Sequence, residues 1–290
     1  MGLCAVALGV GLAFAQARPI SAYRGTIGDA AVEVMLIHDW QLDGMSGYMV
    51  AAGGAPVPLE KTPYSADALL LLNALDDPGL PGRTLVLQPF APGARTVVGR
   101  ALDLRSRLQQ PLRLQRETLF SSEPRHAYDG ELLQIGADAR FLFRVHAHKR
   151  AGAHLGRVDR ITVIDRATRE VAQVIDGVEI VFFGGETLGF ADINGDGVLD
   201  FKVTPLHPDD RERGADHNRH YVYREDGGHV RDEALDALGA QGLLQFDGAG
   251  GVALRPQAGI DYRAGTIAWR YYRYVTATRF EYVRSGEERF

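Results

Sequence analysis

The stretch Asp192-Ile193-Asn194-Gly195-Asp196-Gly197-Val198-Leu199-Asp200 carries the most specific chemistry in the chain. Oxygen-bearing side chains recur at alternate places, Asp192, Asn194 and Asp196, and again at Asp200. Gly197 sits sixth, where a cation-wrapping loop must turn sharply, and the Val198 carbonyl at the seventh place can point inward. Hard oxygen donors in this pattern enclose a sphere, which suits Ca²⁺ better than the stricter octahedron of Mg²⁺. Carboxylates packed this closely repel one another unless a cation neutralises them. The expected metal ligands are therefore Asp192, Asn194, Asp196, Val198 and Asp200, around a structural Ca²⁺. Its expected affinity is that of extracellular calcium modules, with a dissociation constant of ~10⁻⁴–10⁻³ M. The twelfth position, where an EF-hand carries a bidentate glutamate, is Val203, and residues 201–204 read as a strand. The loop is not the centre of a helix pair.

Other chemistry-bearing sets are weaker. His146 and His148 share one face of a strand, with His154 nearby, and invite a zinc reading. Lys149, Arg150 and Arg157 surround them with positive charge, which favours a solvated loop instead. His217-x-x-His220 has no predicted helix to bring its rings together. No Gly-x-Ser-x-Gly elbow, His-Glu-x-x-His pair or phosphate-binding glycine loop occurs. Nothing singles out two carboxylates as a glycosidase pair. The expectation is a binding protein and not an enzyme.

The stretch 205–220, PLHPDDRERGADHNRH, is a polar excursion directly after the strand that follows the acidic loop. Loops of this length in compact domains are either functional or disordered. The expectation is that the calcium loop holds its base and that it presents Arg211, Arg213, His217, Arg219 and His220 to a partner. Arginine pairs bidentately with carboxylates, so an acidic cleft would suit it.

The elements that position these groups read as strands. Val32, Val34 and Leu36 alternate with Ala31, Glu33 and Met35, as in a strand with one face more buried than the other. Similar runs recur at 84–87, 96–98, 141–145, 160–164, 171–175, 179–183 and 269–275, several separated by turns such as Asp176-Gly177, Asp226-Gly227-Gly228 and Asp247-Gly248. The main helix expected is 232–238, with Asp232 as its N-cap and Gly239 as its stop. The apolar run 65–75 fits a buried strand or a helix. The polar, proline-bearing stretch 121–125 marks a boundary. The fold expected is mostly all-β: an N-terminal β domain at 18–120, then a larger irregular β domain at 125–290.

Composition bounds the rest. The chain has 290 residues, 32 Lys+Arg against 37 Asp+Glu, and a net charge of −5, which leaves no electrostatic footprint for nucleic acid. Residues 1–17 are uncharged, largely apolar, and end in Ala15-Gln16-Ala17, the pattern of a signal peptide. No other segment reaches the ~20 apolar residues of a membrane span. The single cysteine, Cys4, falls inside that leader, so the exported chain is expected to lack disulfides and thiolate chemistry. The expected location is the periplasm or the extracellular space.

With its flanks, Phe182-Phe183-Gly184-Gly185 and Gly189-Phe190-Ala191, the acidic loop resembles the calcium loop of FG-GAP or VCBS repeats in integrin-type propellers. Those proteins carry several copies and this chain has one. A closer resemblance covers about 140–284. It rests on Arg160-Ile161-Thr162-Val163-Ile164-Asp165, then Val171-Ala172-Gln173-Val174-Ile175, the loop, Tyr221-Val222-Tyr223 and the aromatic Trp269-Arg270-Tyr271-Tyr272-Arg273-Tyr274. This order is similar to that of bacterial envelope proteins with an irregular, propeller-like β fold and one calcium ion. That family includes immunity proteins that inhibit lysozyme-like peptidoglycan hydrolases, and its loop often has an aromatic where this chain has Gly195. The resemblance implies an exported, stoichiometric inhibitor whose partner is a peptidoglycan hydrolase. The alternative it leaves is a calcium-stabilised envelope module that binds glycan or a surface protein. The segment Tyr23-Arg24-Gly25-Thr26-Ile27-Gly28, with 32–36 and Gly47-Tyr48, looks like a small β module of secreted bacterial proteins.

Overall fold

The computed structural model describes residues 19–39, 44–63, 68–77, 80–207 and 215–290. The segment 1–17 expected to be a leader, with Cys4, and Arg211 and Arg213 of the long loop lie outside the described residues. Eight antiparallel strands close into a barrel: β1 (Ile20–Ile27), β2 (Ala30–Asp39), β3 (Gly44–Ala51), β4 (Val57–Pro63), β5 (Leu70–Asp77), β6 (Leu80–Leu87), β7 (Thr96–Asp103) and β8 (Gln109–Phe120). Closure comes from β1, which pairs with β2 on one side and with β8 on the other. Side chains fill the interior, among them Tyr23, Val34, Leu36, Leu72, Leu85, Val97 and Leu114. Of the ambiguous run 65–75, residues 70–75 lie in β5, whose Leu70, Leu72 and Ala74 point into this barrel core.

Three antiparallel sheets follow. The first has the order β12-β11-β10-β9, from β9 (Tyr128–Ala137), β10 (Phe141–Lys149), β11 (Arg157–Asp165) and β12 (Val171–Val181). The second is β13 (Gly189–Ala191), β14 (Asp200–Val203), β15 (Arg219–Arg224) and β16 (Gly228–Arg231), neighbours in chain order. After helix α1 (Glu233–Gly239) come β17 (Gly242–Phe246), β18 (Gly251–Pro256), β19 (Ile260–Asp261), β20 (Thr266–Thr276) and β21 (Arg279–Arg289). In this last sheet β20 pairs with β18, β19 and β21. The chain is all-β in class, with a closed barrel and curled sheets. Its short helix α1 starts where Asp232 caps the backbone N–H of Leu235. Among the described residues, no helix is long and apolar enough to cross a membrane.

Two details differ from the sequence pattern. The outward face of β2 is buried as well as the inward one, because Met35 joins Ile20, Tyr48 and Val50 in a second core shared with Phe143, Val163 and Phe182. Glu33, on that same face, receives two parallel hydrogen bonds from the Arg144 guanidinium, at 2.8 and 2.5 Å. The expected turn at Asp176-Gly177 lies inside β12. There the pairing with β11 jumps from Val158↔Ile180 to Arg160↔Asp176, and the extra residues make a bulge with Gly177 at φ 69°.

Candidate metal centre

The acidic loop connects β13 to β14, where Ala191 pairs with Asp200. Its backbone is wound around one carboxylate. Asp192 Oδ1 accepts from the N–H groups of Gly195 and Asp196 at 2.8 and 3.1 Å, and its Oδ2 from Gly197 at 2.9 Å. Gly195 and Gly197 stand at φ +78° and +82°, a region side chains oppose. A Cβ on Gly195 would also meet the backbone of Ala249 and Gly250 at 2.7 Å, so the loop lies flush against the β17–β18 turn. An aromatic at this place has no room.

The remaining oxygens are held by one another. Asn194 Oδ1 accepts from the Asp196 N–H at 3.1 Å, and its Nδ2 donates to Asp196 Oδ2 at 3.0 Å and to the Tyr223 carbonyl at 3.3 Å. Asp196 Oδ1 accepts from the Val198 N–H at 2.8 Å. Asp200 is different in kind. It is fully buried, and its oxygens accept from Ile193 and Tyr223 at 2.7 Å and from Asn194 at 3.3 Å. Burial pushes its carboxyl up to about 7, and the charge of Asp196 pushes the same way, against the three hydrogen bonds. Asp200 therefore first braces the hairpin, with lone-pair capacity left over on its oxygens.

Residues outside the loop hold it from both sides. Ile193 is buried in a third core with Val222, Leu235, Leu244 and Tyr274, while Val198 and Leu199 pack on the second. The Leu199 N–H donates to Asp138 Oδ2 at 2.7 Å, and its carbonyl accepts from His229 Nε2 at 2.9 Å. Desolvation holds His229 below its ordinary pKa, its ring packed among Phe141, Phe143, Phe201 and Tyr223. Sequence reading missed Asp138 and His229. Asp138 carries only a turn signal, its Oδ1 accepting from Arg140 and Phe141, and its second oxygen reaches a loop 61 residues away.

The donors are hard oxygens around a buried carboxylate that has no ion-pair partner among the described residues, a set that fits Ca²⁺. Asp192, Asn194, Asp196 and the Val198 carbonyl would hold the ion, with Asp200 behind them. Among the described residues, however, the set whose ligand atoms lie within 4.8 Å of one another is His146, His148 and Asp159. Here Asn194 turns its amide nitrogen toward the Asp196 carboxylate, while its oxygen accepts from the Asp196 backbone N–H.

The long loop leaves the same sheet, and both of its ends are pinned. Pro205 bridges to Ile180, and the Leu206 N–H donates to the Glu179 carbonyl at 2.8 Å. Thr204 Oγ1 bonds Asn218 Oδ1 at 2.9 Å, and the Asp216 N–H donates to the carbonyls of Gly239 and Gly242. Arg219 and His220 belong to β15 rather than to an exposed loop. Arg219 donates to the Val178 carbonyl at 3.1 Å. His220 is fully buried, its backbone N–H and its ring Nδ1 both on Asp236 Oδ1 at 2.9 and 3.0 Å. The buried His220 fastens the strand, and Arg219 is half-buried where it meets β12. His217 is half-buried beside them.

The fold and this loop define an all-β protein in which a closed barrel is joined to antiparallel sheets bearing an acidic hairpin loop. No family model matches the chain, and no curated protein matches its sequence. Among solved structures, the acylaminoacyl peptidase of Pyrococcus horikoshii in its orthorhombic crystal form is similar over 91% of this chain and 39% of that chain, at 10% identity and a TM-score of 0.29. The chain spans about two fifths of that peptidase, and a likeness this slight carries no argument.

Proposed function

We propose that this is an exported, calcium-stabilised binding protein that inhibits a peptidoglycan-degrading, lysozyme-like enzyme by stoichiometric occlusion. The observation that carries the reading is the pinning of both ends of the 205–218 loop, at the end of β14 opposite the acidic hairpin. A loop fixed at its base loses less freedom on docking than a free one, which favours tight binding. By sequence, the span between the anchors carries Arg211 and Arg213, whose guanidinium groups suit the catalytic carboxylates of a glycan hydrolase. When bound, Ca²⁺ would neutralise the Asp192, Asp196 and Asp200 charges and stiffen the hairpin. The protein performs no turnover in this reading.

The test is clearing of peptidoglycan by a lysozyme-like hydrolase titrated with the protein, in calcium and in chelator. Inhibition that saturates at one equivalent in calcium, and weakens when Arg211 and Arg213 are both replaced by Glu, is the expected result. Full hydrolase activity at a large molar excess counts against it. A second reading, a module that binds glycan, has its own observation. An open groove of about 400 Å³ on the last sheet is lined by Tyr271, Tyr272, Arg273 and Arg284, flat groups on which sugar rings can stack. Retention on insoluble peptidoglycan without inhibition, lost in Tyr271→Ala, would favour it.

A further inference from the structure

A second cluster of ligand-type side chains lies on the first sheet, away from the acidic loop. In the pairing of β10 with β11, His146 stands opposite Arg160 and Ala147 opposite Val158. Asp159 is therefore the extra residue of a β-bulge, a device that re-aims a side chain out of the regular alternation. Its carboxylate reaches His146 Nδ1 at 2.9 Å and His148 Nδ1 at 3.5 Å. The two histidines, two residues apart on one strand, project from the same face. The ligand atoms of all three side chains lie within 4.8 Å of one another, a span that includes the ~3.4 Å separating donors around a tetrahedral ion with bonds near 2.05 Å.

The surroundings suit an ion. The three side chains line an open cleft of about 570 Å³, together with Asp129. Asp129 Oδ1 lies 3.1 Å from His146 Nε2. A carboxylate that holds one ring nitrogen as N–H leaves the other free to ligate, the usual outer support of a metal-bound histidine. The basic neighbours are less adverse than their sequence positions suggest. Lys149 and Arg150 line the same cleft, but the Lys149 ammonium is taken up by the carbonyls of Glu123 and Ala153 at 2.8 and 3.1 Å. Arg157 does contact the site, its Nε donating to His148 Nε2, and it is exposed, so an arriving ion can displace it.

We propose that His146, His148 and Asp159 form a site for a borderline divalent transition ion of the Zn²⁺ class, distinct from the calcium loop. Two imidazoles and one carboxylate are the donor set such an ion prefers over Ca²⁺. Three protein donors leave a coordination position open to the cleft, where water would complete the tetrahedron. The site stands whether or not the acidic loop binds calcium.

The test is calorimetric titration of the full chain, stripped of metal, with ZnCl₂ in millimolar CaCl₂. One saturable site of micromolar or tighter affinity is expected, retained in Asp196→Ala and His154→Ala. The double variant His146→Ala/His148→Ala should lose it, and Asp129→Asn should bind at least about tenfold more weakly. Arg157→Ala should bind at least as tightly as the parent, since a competing cation is gone. No saturable zinc binding, unchanged affinity in the double variant, or weaker binding in Arg157→Ala would each overturn the proposal. Should the double variant fail to fold, the unmutated chain still decides the matter. Zinc must protect His146 and His148, but not His154, from acylation by diethylpyrocarbonate, and absence of that protection refutes the site.

Discussion

Replacing Glu33 by Gln tests how firmly the barrel is joined to the rest of the molecule. Glu33 is 7% exposed and receives both parallel hydrogen bonds from Arg144 of β10 across 111 residues of sequence. The side chains of the pair are 14% and 8% exposed, so water screens them poorly. Removing one partner of a buried pair strands the other charge, at a cost of ~3–5 kcal/mol. Gln keeps the volume and one acceptor, and Arg144 retains a little solvent, which places the loss near the lower end, about 3 kcal/mol. For a chain of 290 residues that corresponds to a fall in Tm of about 5 °C. The assay is calorimetry supported by urea melts, extended to a cycle with Arg144→Met and the double variant. Met in place of Arg removes the stranded charge, so the double variant should recover a good part of the loss. A loss under about 0.5 kcal/mol in Glu33→Gln, or strictly additive losses in the cycle, would refute the reasoning.

Three further outcomes are expected. In calcium at a hundredfold excess over Kd, the parent should gain ~2.7 kcal/mol of stability, and Asp196→Ala should abolish that gain; identical melts in calcium and chelator would remove the ion from the loop. Burial works against ionised Asp236, but hydrogen bonds from His220 and Arg231 outweigh it and hold its carboxyl below the ordinary range. Its stabilising effect is therefore present above the unfolded carboxylate pKa of ~3.9 and is lost as pH falls through the folded value. Urea melts should show Asp236→Asn about 2–3 kcal/mol less stable near neutrality, with the gap closing toward pH 2. Ile193, 1% exposed in the third core, should cost about 2–4 kcal/mol as Ala, whether or not calcium is present.

Strand positions were legible because short-range alternation and glycine turns write them locally. Helix α1 was nearly as plain: Asp232 caps it as expected, and it runs through Gly239, the expected stop, to a C-cap at Ala240. Barrel closure was not, because β1 meets β8 through contacts such as Ile27↔Leu112, and no local pattern encodes a partner so distant. The one-sided reading of β2 missed Glu33 and Met35 for the same reason: what covers them is another part of the chain. His220 looked like a loop residue because its neighbours in sequence are polar. Pairing of Lys202 with His220 puts it in a strand, on the side where Asp236 waits. Asp159 stayed invisible because a bulge breaks the very alternation from which a side chain's direction is read.

The last strand has a consequence for how copies of this protein behave when crowded. Among the described residues β21 pairs with β20 alone, which leaves its other side as a free row of backbone donors and acceptors. Such a row can template growth of a sheet from one molecule into the next. Along it stand Arg279, Glu281, Arg284, Glu287, Glu288 and Arg289, all exposed. A second copy docking edge to edge would have to strip water from these charges and align them in register. An edge open to sheet growth is thus also one lined with charge that opposes it.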